Sequence, residues 1–244
     1  MRNVLVTGGS RGLGLAVVRR LVLEGYRAIA VARQMNDRLA STMEHVEQDS
    51  PGALHFVPFD LGDIEDLPRL VKNLRKEHGP IYGLVNNAAL SSDGALAMMP
   101  NPHIERLIRV NTMSPIVLTK YVVRHMMADG GGRVVNVASI VGYTGYSGVS
   151  VYSATKAALI GFTRSLAREV GRLGVNVNAV APGFMDTDMT RELTDDRRDQ
   201  VVRRSALRRF PEVDDVADAV EFLLAPRSRS ITGTVLTVDA GATA

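Results

Sequence analysis

Residues 3–14 read NVLVTGGSRGLG, and this stretch decides the fold class. A short apolar run over 3–7 leads into four closely spaced glycines, and a segment with helical spacing follows over 12–25. Glycines between a strand and a helix let the backbone approach a pyrophosphate, and the helix N-terminus supplies N–H donors for it. The stretch therefore predicts a dinucleotide-binding turn, with the spacing TGxxxGxG rather than GxGxxG. The alternative is that these glycines only permit a tight turn.

The rest of the chain alternates two kinds of segment. Near-continuous apolar runs, typical of strands covered on both faces, occupy 3–7, 27–32, 54–59, 81–86, 133–138, 175–180 and 234–238. Segments with helical periodicity occupy 12–25, 36–48, 63–78, 102–128, 152–173 and 213–225. This alternation predicts an α/β fold: a single doubly wound Rossmann domain over 1–244 with a seven-stranded parallel sheet. The charged stretch 183–212 has no strand signal and is predicted to be a substrate lid, the alternative being a surface excursion.

Composition excludes several classes of function. The 244 residues include no cysteine, which excludes disulfides and a thiol nucleophile, and the five histidines are scattered, so no metal site is expected. The net charge is +3, and the basic cluster RRSALRRF at 203–210 is countered by nearby aspartates, so nucleic acid is not the expected partner. No apolar run approaches the roughly 20 residues of a membrane span, and no signal peptide opens the chain. We therefore expect a cytoplasmic protein that does not bind a membrane.

The end of the second predicted strand bears on the choice of cofactor. Dinucleotide sites carry either an acid there, for the ribose 2′-hydroxyl, or an arginine, for a 2′-phosphate. This strand ends at Arg33 with no acid, and Arg11 lies in the glycine turn. A guanidinium binds phosphate through two parallel hydrogen bonds, so the pattern predicts NADPH rather than NADH. The alternative is that Arg33 is a solvated surface residue.

A tyrosine and a lysine share one face of a predicted helix. Tyr152 and Lys156 are four residues apart in VYSATKAALIGF at 151–162, and the chain has only four lysines. An ammonium group beside a phenol favours the phenolate, so we expect Lys156 to lower the pKa of Tyr152 and to produce an acid–base group. Ser139 ends the fifth predicted strand, at the carboxyl edge where open α/β sheets bind ligands.

These motifs follow one another along nearly the whole chain in an order that carries a family resemblance. They are TGGSRGLG at 7–14, Asp60, NNA at 86–88, Asn111, Ser139, the Tyr152/Lys156 pair and PG at 182–183. On them the chain resembles the short-chain dehydrogenase/reductase family. Within that family, VAPGFMDTDMT at 180–190 is similar to the 3-oxoacyl-[acyl-carrier-protein] reductases. The chain departs from the pattern at Ala89, at Ala240 and at 205–210, where the family often has glycine, paired glycines, and proline with glycine.

The resemblance implies roles for particular residues. Ser139 would bind the substrate carbonyl, Tyr152 would protonate it, Lys156 would hold the nicotinamide ribose, and Asn111 would hold a water that links Lys156 to solvent. The set implied to bind NADPH is Gly8, Ser10, Arg11, Gly12, Leu13, Gly14, Arg33, Asp60, Leu61, Asn87, Tyr152, Lys156, Pro182, Gly183, Met185 and Thr187. The family's pairing of helices and C-terminal strands across two-fold axes implies a homotetramer.

The leading functional hypothesis is NADPH-dependent reduction of a 3-oxoacyl thioester in fatty acid, polyketide or polyene biosynthesis. The expected carrier is an acidic acyl carrier protein, which suits the basic residues Arg124, Arg133, Arg168 and Arg172. In the lid, Arg203, Arg204, Arg208 and Arg209 would meet this carrier or the pantetheine phosphate. The alternative is that these four arginines only pair with neighbouring aspartates on a solvated face. One alternative is the same chemistry on an acyl-CoA or on a free alcohol or ketone, such as a steroid or sugar. A non-enzymatic nucleotide sensor is less consistent with a chain that keeps the whole Asn-Ser-Tyr-Lys set.

Overall fold

The structure is a computed structural model that describes residues 1–91, 94–185 and 195–244, without the side chains of 47–49 and 195–197. Its centre is one sheet of seven parallel strands in the order β3-β2-β1-β4-β5-β6-β7. The strands are β1 Asn3–Thr7, β2 Arg27–Ala32, β3 Ala53–Pro58, β4 Ile81–Asn86, β5 Gly132–Val137, β6 Val175–Pro182 and β7 Val235–Val238. The predicted doubly wound α/β fold is confirmed, and each predicted strand lies within two residues of its observed bounds.

Helices cover both faces of the sheet. They are α1 Gly12–Leu23, α2 Asp37–Asp49, α3 Leu67–His78, α4 Asn101–Ile108, α5 Ser114–Ala128, α6 Val141–Thr144, α7 Ser150–Val170, α8 Asp195–Arg204 and α9 Val213–Leu224. One face packs against α1 and α9, and the other against α3, α5 and α7. None of the helices described has the combination of length and apolar character that crossing a bilayer requires.

Local sequence explains how several helices begin. The Asn36 side chain accepts a hydrogen bond from the Leu39 amide at 2.9 Å, which caps α2. Glu212 and Asp215 form a reciprocal capping box that starts α9. By contrast, α1 has no capping side chain and no acid in its first turn, so its N-terminal amides stay available for an anion.

The helix predicted over 102–128 is confirmed as a continuous helical stretch. It consists of α4, a π-helical turn over Arg109–Met113 that the sequence did not indicate, and α5. Within the predicted lid, α8 forms a helix that the charge-rich sequence did not indicate. The strand order reverses between β1 and β4, which places the crevice for a ligand at the carboxyl ends of these two central strands.

Candidate active site

The glycine turn after β1 is shaped to hold a dinucleotide. Gly8 and Gly12 adopt φ values of 68° and 52°, in the left-handed region that favours glycine. A Cβ on Gly14 would lie 2.1 Å from the Gly8 carbonyl oxygen, so the start of α1 can approach the turn only without a side chain. A Cβ on Gly12 would meet nothing within 4 Å, so the surface there is open. The turn, with Leu13 buried behind it, fits a pyrophosphate at the uncapped N-terminus of α1.

Two polar side chains fix this turn against the end of β4. The Thr7 hydroxyl accepts hydrogen bonds from the amides of Asn87 at 3.0 Å and Ala88 at 3.1 Å. The Asn87 side chain donates to the Thr7 carbonyl at 2.9 Å and to the Gly8 carbonyl at 3.4 Å. Asn87 therefore holds the shape of the cofactor turn from the neighbouring strand.

The residues expected to select the cofactor lie at the tips of β1 and β2. Arg33 and Arg11 are exposed, and neither forms an ion pair with another residue in the described ranges. Asn36 donates to the Ser10 carbonyl at 2.9 Å, which joins the glycine turn to the segment that carries Arg33. Two unpaired guanidinium groups beside a phosphate-binding turn suit an additional phosphate.

Beyond β3, Asp60 lies exposed at the carboxyl edge, where its Oδ1 accepts a hydrogen bond from the Gly62 amide at 2.8 Å. This bond shapes a short turn and leaves the second carboxylate oxygen for another donor. Leu61 is buried beside it and lines a small cavity with Thr7 and Asn86. The adenosine end of a dinucleotide would therefore meet one exposed acid and the backbone of this turn.

The structure brings Ser139, Tyr152 and Lys156 together at the carboxyl end of β5. Ser139 follows β5, and Tyr152 lies in the first turn of α7 with its hydroxyl close to the Ser139 side chain. Lys156 is 2% exposed, and its Nζ lies 5.5 Å from the centroid of the Tyr152 ring. The same Nζ donates to the Val137 carbonyl at 2.8 Å, two residues before Ser139. One of the three ammonium donors thus fastens α7 to β5, which leaves two for a ligand.

The electrostatics of this group differ from our expectation. Burial raises the pKa of Tyr152 to about 12, and the nearby Ser139 hydroxyl opposes that shift only in part. Burial also lowers the pKa of Lys156 to about 8. The expectation that Lys156 lowers the pKa of Tyr152 is therefore wrong for this structure, because desolvation dominates at both groups. Tyr152 is consequently protonated at neutral pH, as a proton donor must be.

Asn111 lies in the π-helical turn between α4 and α5 and is 1% exposed. Its side-chain amide exchanges two hydrogen bonds of 2.8 Å with the backbone of Leu90 and donates to Thr155 at 3.3 Å. Both amide donors are therefore used inside the protein. Pro115 lies four residues later and has no N–H, so it cannot give the Asn111 carbonyl the hydrogen bond of an α-helix. A π-helical turn at this place is typical of a functional site.

The end of β6 closes the other side of the crevice. The Pro182 carbonyl accepts a hydrogen bond from the Ile140 amide at 3.1 Å, and the Gly183 amide donates to the Val238 carbonyl at 2.9 Å. A Cβ on Gly183 would lie 2.8 Å from the Cβ of Asp239, so glycine permits this close contact with the end of β7. Met185 packs against the core. Thr187 and Met189, also expected in this segment, lie outside the described residues.

The four arginines of the predicted docking surface have different environments. Arg209 forms an ion pair with Asp215 at 3.0 Å. This pairing agrees with the alternative in which the arginines bind neighbouring aspartates on a solvated face. Arg208 donates to the Arg203 carbonyl at 2.6 Å. Arg203 and Arg204 are exposed, and their guanidinium groups have no acidic partner among residues 1–91, 94–185 and 195–244.

The sequence did not indicate the polar ladder beneath the site. The Asn86 amide donates to Asn136 at 2.8 Å and to Thr119 at 2.9 Å, and Asn136 donates to Thr163 at 2.9 Å. All four residues are buried, and their mutual hydrogen bonds satisfy most of their polar side-chain atoms, although Asn86 Oδ1 has no partner among the described residues. The ladder links β4 and β5 to α5 and α7. Asparagines inside two predicted core strands were the signal that could have revealed it.

Comparison with known proteins agrees with this geometry. The family model described as short chain dehydrogenase matches residues 2–198. The chain belongs to the short chain dehydrogenase family. It is 38% identical to the 3-oxoacyl-[acyl-carrier-protein] reductase FabG of Vibrio harveyi, over 97% of this chain and 95% of that protein. It is 39% identical to the 3-oxoacyl-[acyl-carrier-protein] reductase of Homo sapiens, with the same coverage of both chains.

Solved structures of other short chain dehydrogenases superpose on nearly all of the chain. A short-chain type dehydrogenase/reductase from Mycobacterium ulcerans has a TM-score of 0.93 and 29% identity, covering 99% of this chain and 89% of that one. A candidate NAD(P)-dependent gluconate 5-dehydrogenase from Beutenbergia cavernae, with bound NADP, has a TM-score of 0.93 and 29% identity. This second likeness covers 99% of this chain and 96% of that one. The resemblance expected from the motifs is thus confirmed over the whole fold.

Proposed function

We propose that this chain reduces the keto group of a 3-oxoacyl thioester, carried by an acyl carrier protein, to the 3-hydroxyacyl form. The observation that carries the proposal is the group of Ser139, Tyr152 and the buried Lys156 at the crevice where the glycine turn fits a nicotinamide dinucleotide. Relatives at 38–39% identity over 97% of the chain, named for this activity, favour this substrate class.

The proposed mechanism assigns the proton chemistry to this chain's own residues. The Ser139 hydroxyl donates a hydrogen bond to the substrate carbonyl oxygen, where negative charge develops. Tyr152 gives that oxygen its phenolic proton, and a pKa of about 12 keeps that proton in place until the oxygen becomes basic. The bound nicotinamide supplies the hydride for the carbonyl carbon.

Lys156 and Asn111 support the tyrosine in this proposal. The two ammonium donors of Lys156 that Val137 leaves free would bind the nicotinamide ribose hydroxyls. The Asn111 side chain is occupied by Leu90 and Thr155, so we assign the expected water to the Asn111 main-chain carbonyl. A water there would return a proton to Tyr152 by way of Lys156.

The proposed cofactor is NADPH. Arg33 and Arg11 lie beside the glycine turn without acidic partners among the described residues, and β2 ends without an acid. Asp60, with the turn at Leu61, would bind the adenosine, and the backbone at Gly183 would lie over the nicotinamide. Thr187 stays a proposed contact of this end.

The proposed assembly is a homotetramer. Helix α7 exposes Ala157, Ala158 and Gly161, whose small side chains permit close packing against another helix. Strand β7 lies at the edge of the sheet, where a second copy can pack alongside it. Light scattering should give four times the 26.4 kDa mass of the chain, whereas a stable monomer would contradict the proposal.

The proposed carrier surface consists of Arg203 and Arg204, with 183–212 acting as a lid. Replacing both residues by glutamate should raise KM for an acyl-carrier-protein substrate and leave KM for a short thioester mimic unchanged. The effect should shrink as salt rises, because exposed charges are screened. An equal effect on both substrates would remove the docking role.

The function is tested by NADPH consumption with 3-oxoacyl thioesters, free ketones and sugars, with the enzyme and its Tyr152→Phe variant. We expect reduction of the thioesters by the enzyme, and loss of most turnover in Tyr152→Phe with NADPH binding retained, because only the donated proton is removed. Near-normal turnover in Tyr152→Phe would contradict the assigned chemistry. A preference for free sugars or ketones would replace the proposed substrate and leave that chemistry in place.

A further inference from the structure

Two aromatic rings meet at the catalytic edge of the sheet in positions that the proposed chemistry does not use. Tyr146 lies in the loop between α6 and α7, and Phe184 follows Gly183 at the end of β6. Their ring centroids are 5.2 Å apart, and the ring planes are inclined by 60°. Tyr146 is 38% exposed, and its hydroxyl has no partner among the described residues. Tyr146 is exposed and Phe184 is half-buried, and neither ring belongs to the buried core.

Both rings belong to loops that leave the sheet beside the reacting groups. Tyr146 is seven residues after Ser139 on the β5 side, and Phe184 is two residues after Pro182 on the β6 side. These loops are joined at their base by the hydrogen bond from the Ile140 amide to the Pro182 carbonyl. On its far side the Tyr146 loop is tied to the β4 loop, because the Gly94 amide donates to the Gly148 carbonyl at 2.9 Å. The pair therefore joins the loop after β5 to the segment after β6, both of which border the crevice.

A neighbouring tyrosine shows that an exposed ring in this segment need not face a ligand. Tyr143 lies in α6 and is 48% exposed, but its hydroxyl is hydrogen bonded to Thr237 of β7 at 2.9 Å. Tyr143 is thus attached to the edge strand, whereas the Tyr146 side chain has only the Phe184 ring as a partner in the part of the chain that the structure describes. Tyr143 and Tyr146 have similar exposure but different partners, so substitution of Tyr143 is a matched control for substitution of Tyr146.

We propose that Tyr146 and Phe184 form the subsite for the group attached to the 3-keto carbon, and that they favour a planar, π-conjugated group there. This inference rests on the proposed function, since it concerns the substrate of the same site. Inclined rings leave faces and edges on which a third planar group can stack or meet edge to face. A saturated chain gains only the burial of its apolar surface from the same contacts.

The experiment compares kcat/KM for N-acetylcysteamine thioesters that differ only in this group: propyl, phenyl or a conjugated dienyl chain. The variants are Tyr146→Leu and Phe184→Leu, which keep apolar bulk and remove the ring, with Tyr143→Leu as the control. In the unmodified protein the planar substrates should be preferred to the propyl one. In each of the first two variants that preference should fall roughly fivefold, as expected for the loss of one aromatic contact. Tyr143→Leu should keep the preference.

The outcomes separate this inference from the function on which it rests. An unchanged preference in both Tyr146→Leu and Phe184→Leu, with thioester reduction retained, would overturn the subsite alone. Failure of the unmodified protein to reduce any of the thioesters would overturn the proposed function together with the subsite. A fall for the phenyl substrate only would assign the subsite to aryl groups, and a fall for the dienyl substrate only would assign it to extended conjugated chains. NADPH titration of each variant reports that the fold and the cofactor site are intact.

Discussion

The buried amine of Lys156 should make the stability of the protein depend on pH. Its pKa in the folded state is about 8, against 10.5 for an ordinary lysine. Between these values the unfolded chain binds more protons than the folded one, so the free energy of unfolding rises with pH. The gap corresponds to a cost of about 3 kcal/mol at pH 7, which falls by about 2 kcal/mol on going to pH 9.5. Lys156→Met should abolish this part of the rise.

The assay is urea denaturation, followed by circular dichroism, of the protein without added cofactor at several pH values from 7 to 9.5. The quantity compared is the difference in the free energy of unfolding between Lys156→Met and the unmodified protein. Loss of the hydrogen bond to the Val137 carbonyl lowers the stability of the variant equally at every pH, so it does not affect the slope. Lys120→Met, at an exposed position of α5, is the matched control and should leave the slope unchanged. Parallel curves for Lys156→Met and the unmodified protein would refute the reasoning.

Three further predictions concern other parts of the site and its surroundings. Arg33→Asp should lower the ratio of kcat/KM for NADPH over NADH roughly tenfold or more, because a charge-assisted contact with the 2′-phosphate is lost, and an unchanged ratio would contradict the assignment. Ala240 has a φ of 55°, so Ala240→Gly should raise the free energy of unfolding, measured by urea denaturation, by about 0.5–1 kcal/mol. A lower urea midpoint for the variant would show that the Ala240 conformation is not strained. Pro115→Ala supplies an N–H that can occupy the Asn111 carbonyl, so it should lower kcat. The affinity for NADPH, measured by fluorescence titration, should stay unchanged. An unaltered kcat would argue against a water at that carbonyl.

The sequence predicts most of the fold because the strands are continuous apolar runs and the glycine turn has a fixed position after β1. It does not predict the π-helical turn, because Asn111 reaches Leu90, which lies 21 residues earlier, and because the effect of Pro115 resembles that of an ordinary helical proline. The pair of Tyr152 and Lys156 is apparent from spacing alone. The direction of its pKa shifts is not, since burial depends on how α7 packs against β5.

Departures from the family pattern have a visible structural context. Ala240 and Arg208 both have positive φ, at 55° and 53°, in the two segments where the resemblance leads us to expect glycines. Ser205, at the start of the segment that carries Arg208, is buried, and its hydroxyl donates to the Ala240 carbonyl at 2.7 Å. The Leu207 amide donates to the same carbonyl at 3.0 Å. Sequence comparison exposes the substitutions, but only the fold shows that the two segments pack against each other.

The hydrogen bond from Lys156 to the Val137 carbonyl has a consequence for how such enzymes diversify. It joins α7, which carries Tyr152, to β5, which precedes Ser139, so the positions of the two reacting groups are fixed relative to each other. The aromatic residues at the rim are carried instead by the loop after α6 and by the segment after β6. Grafting these two segments from one relative to another should therefore exchange substrate preference without changing the pKa values of the acid–base groups. New specificities can therefore arise after gene duplication through changes at the rim alone.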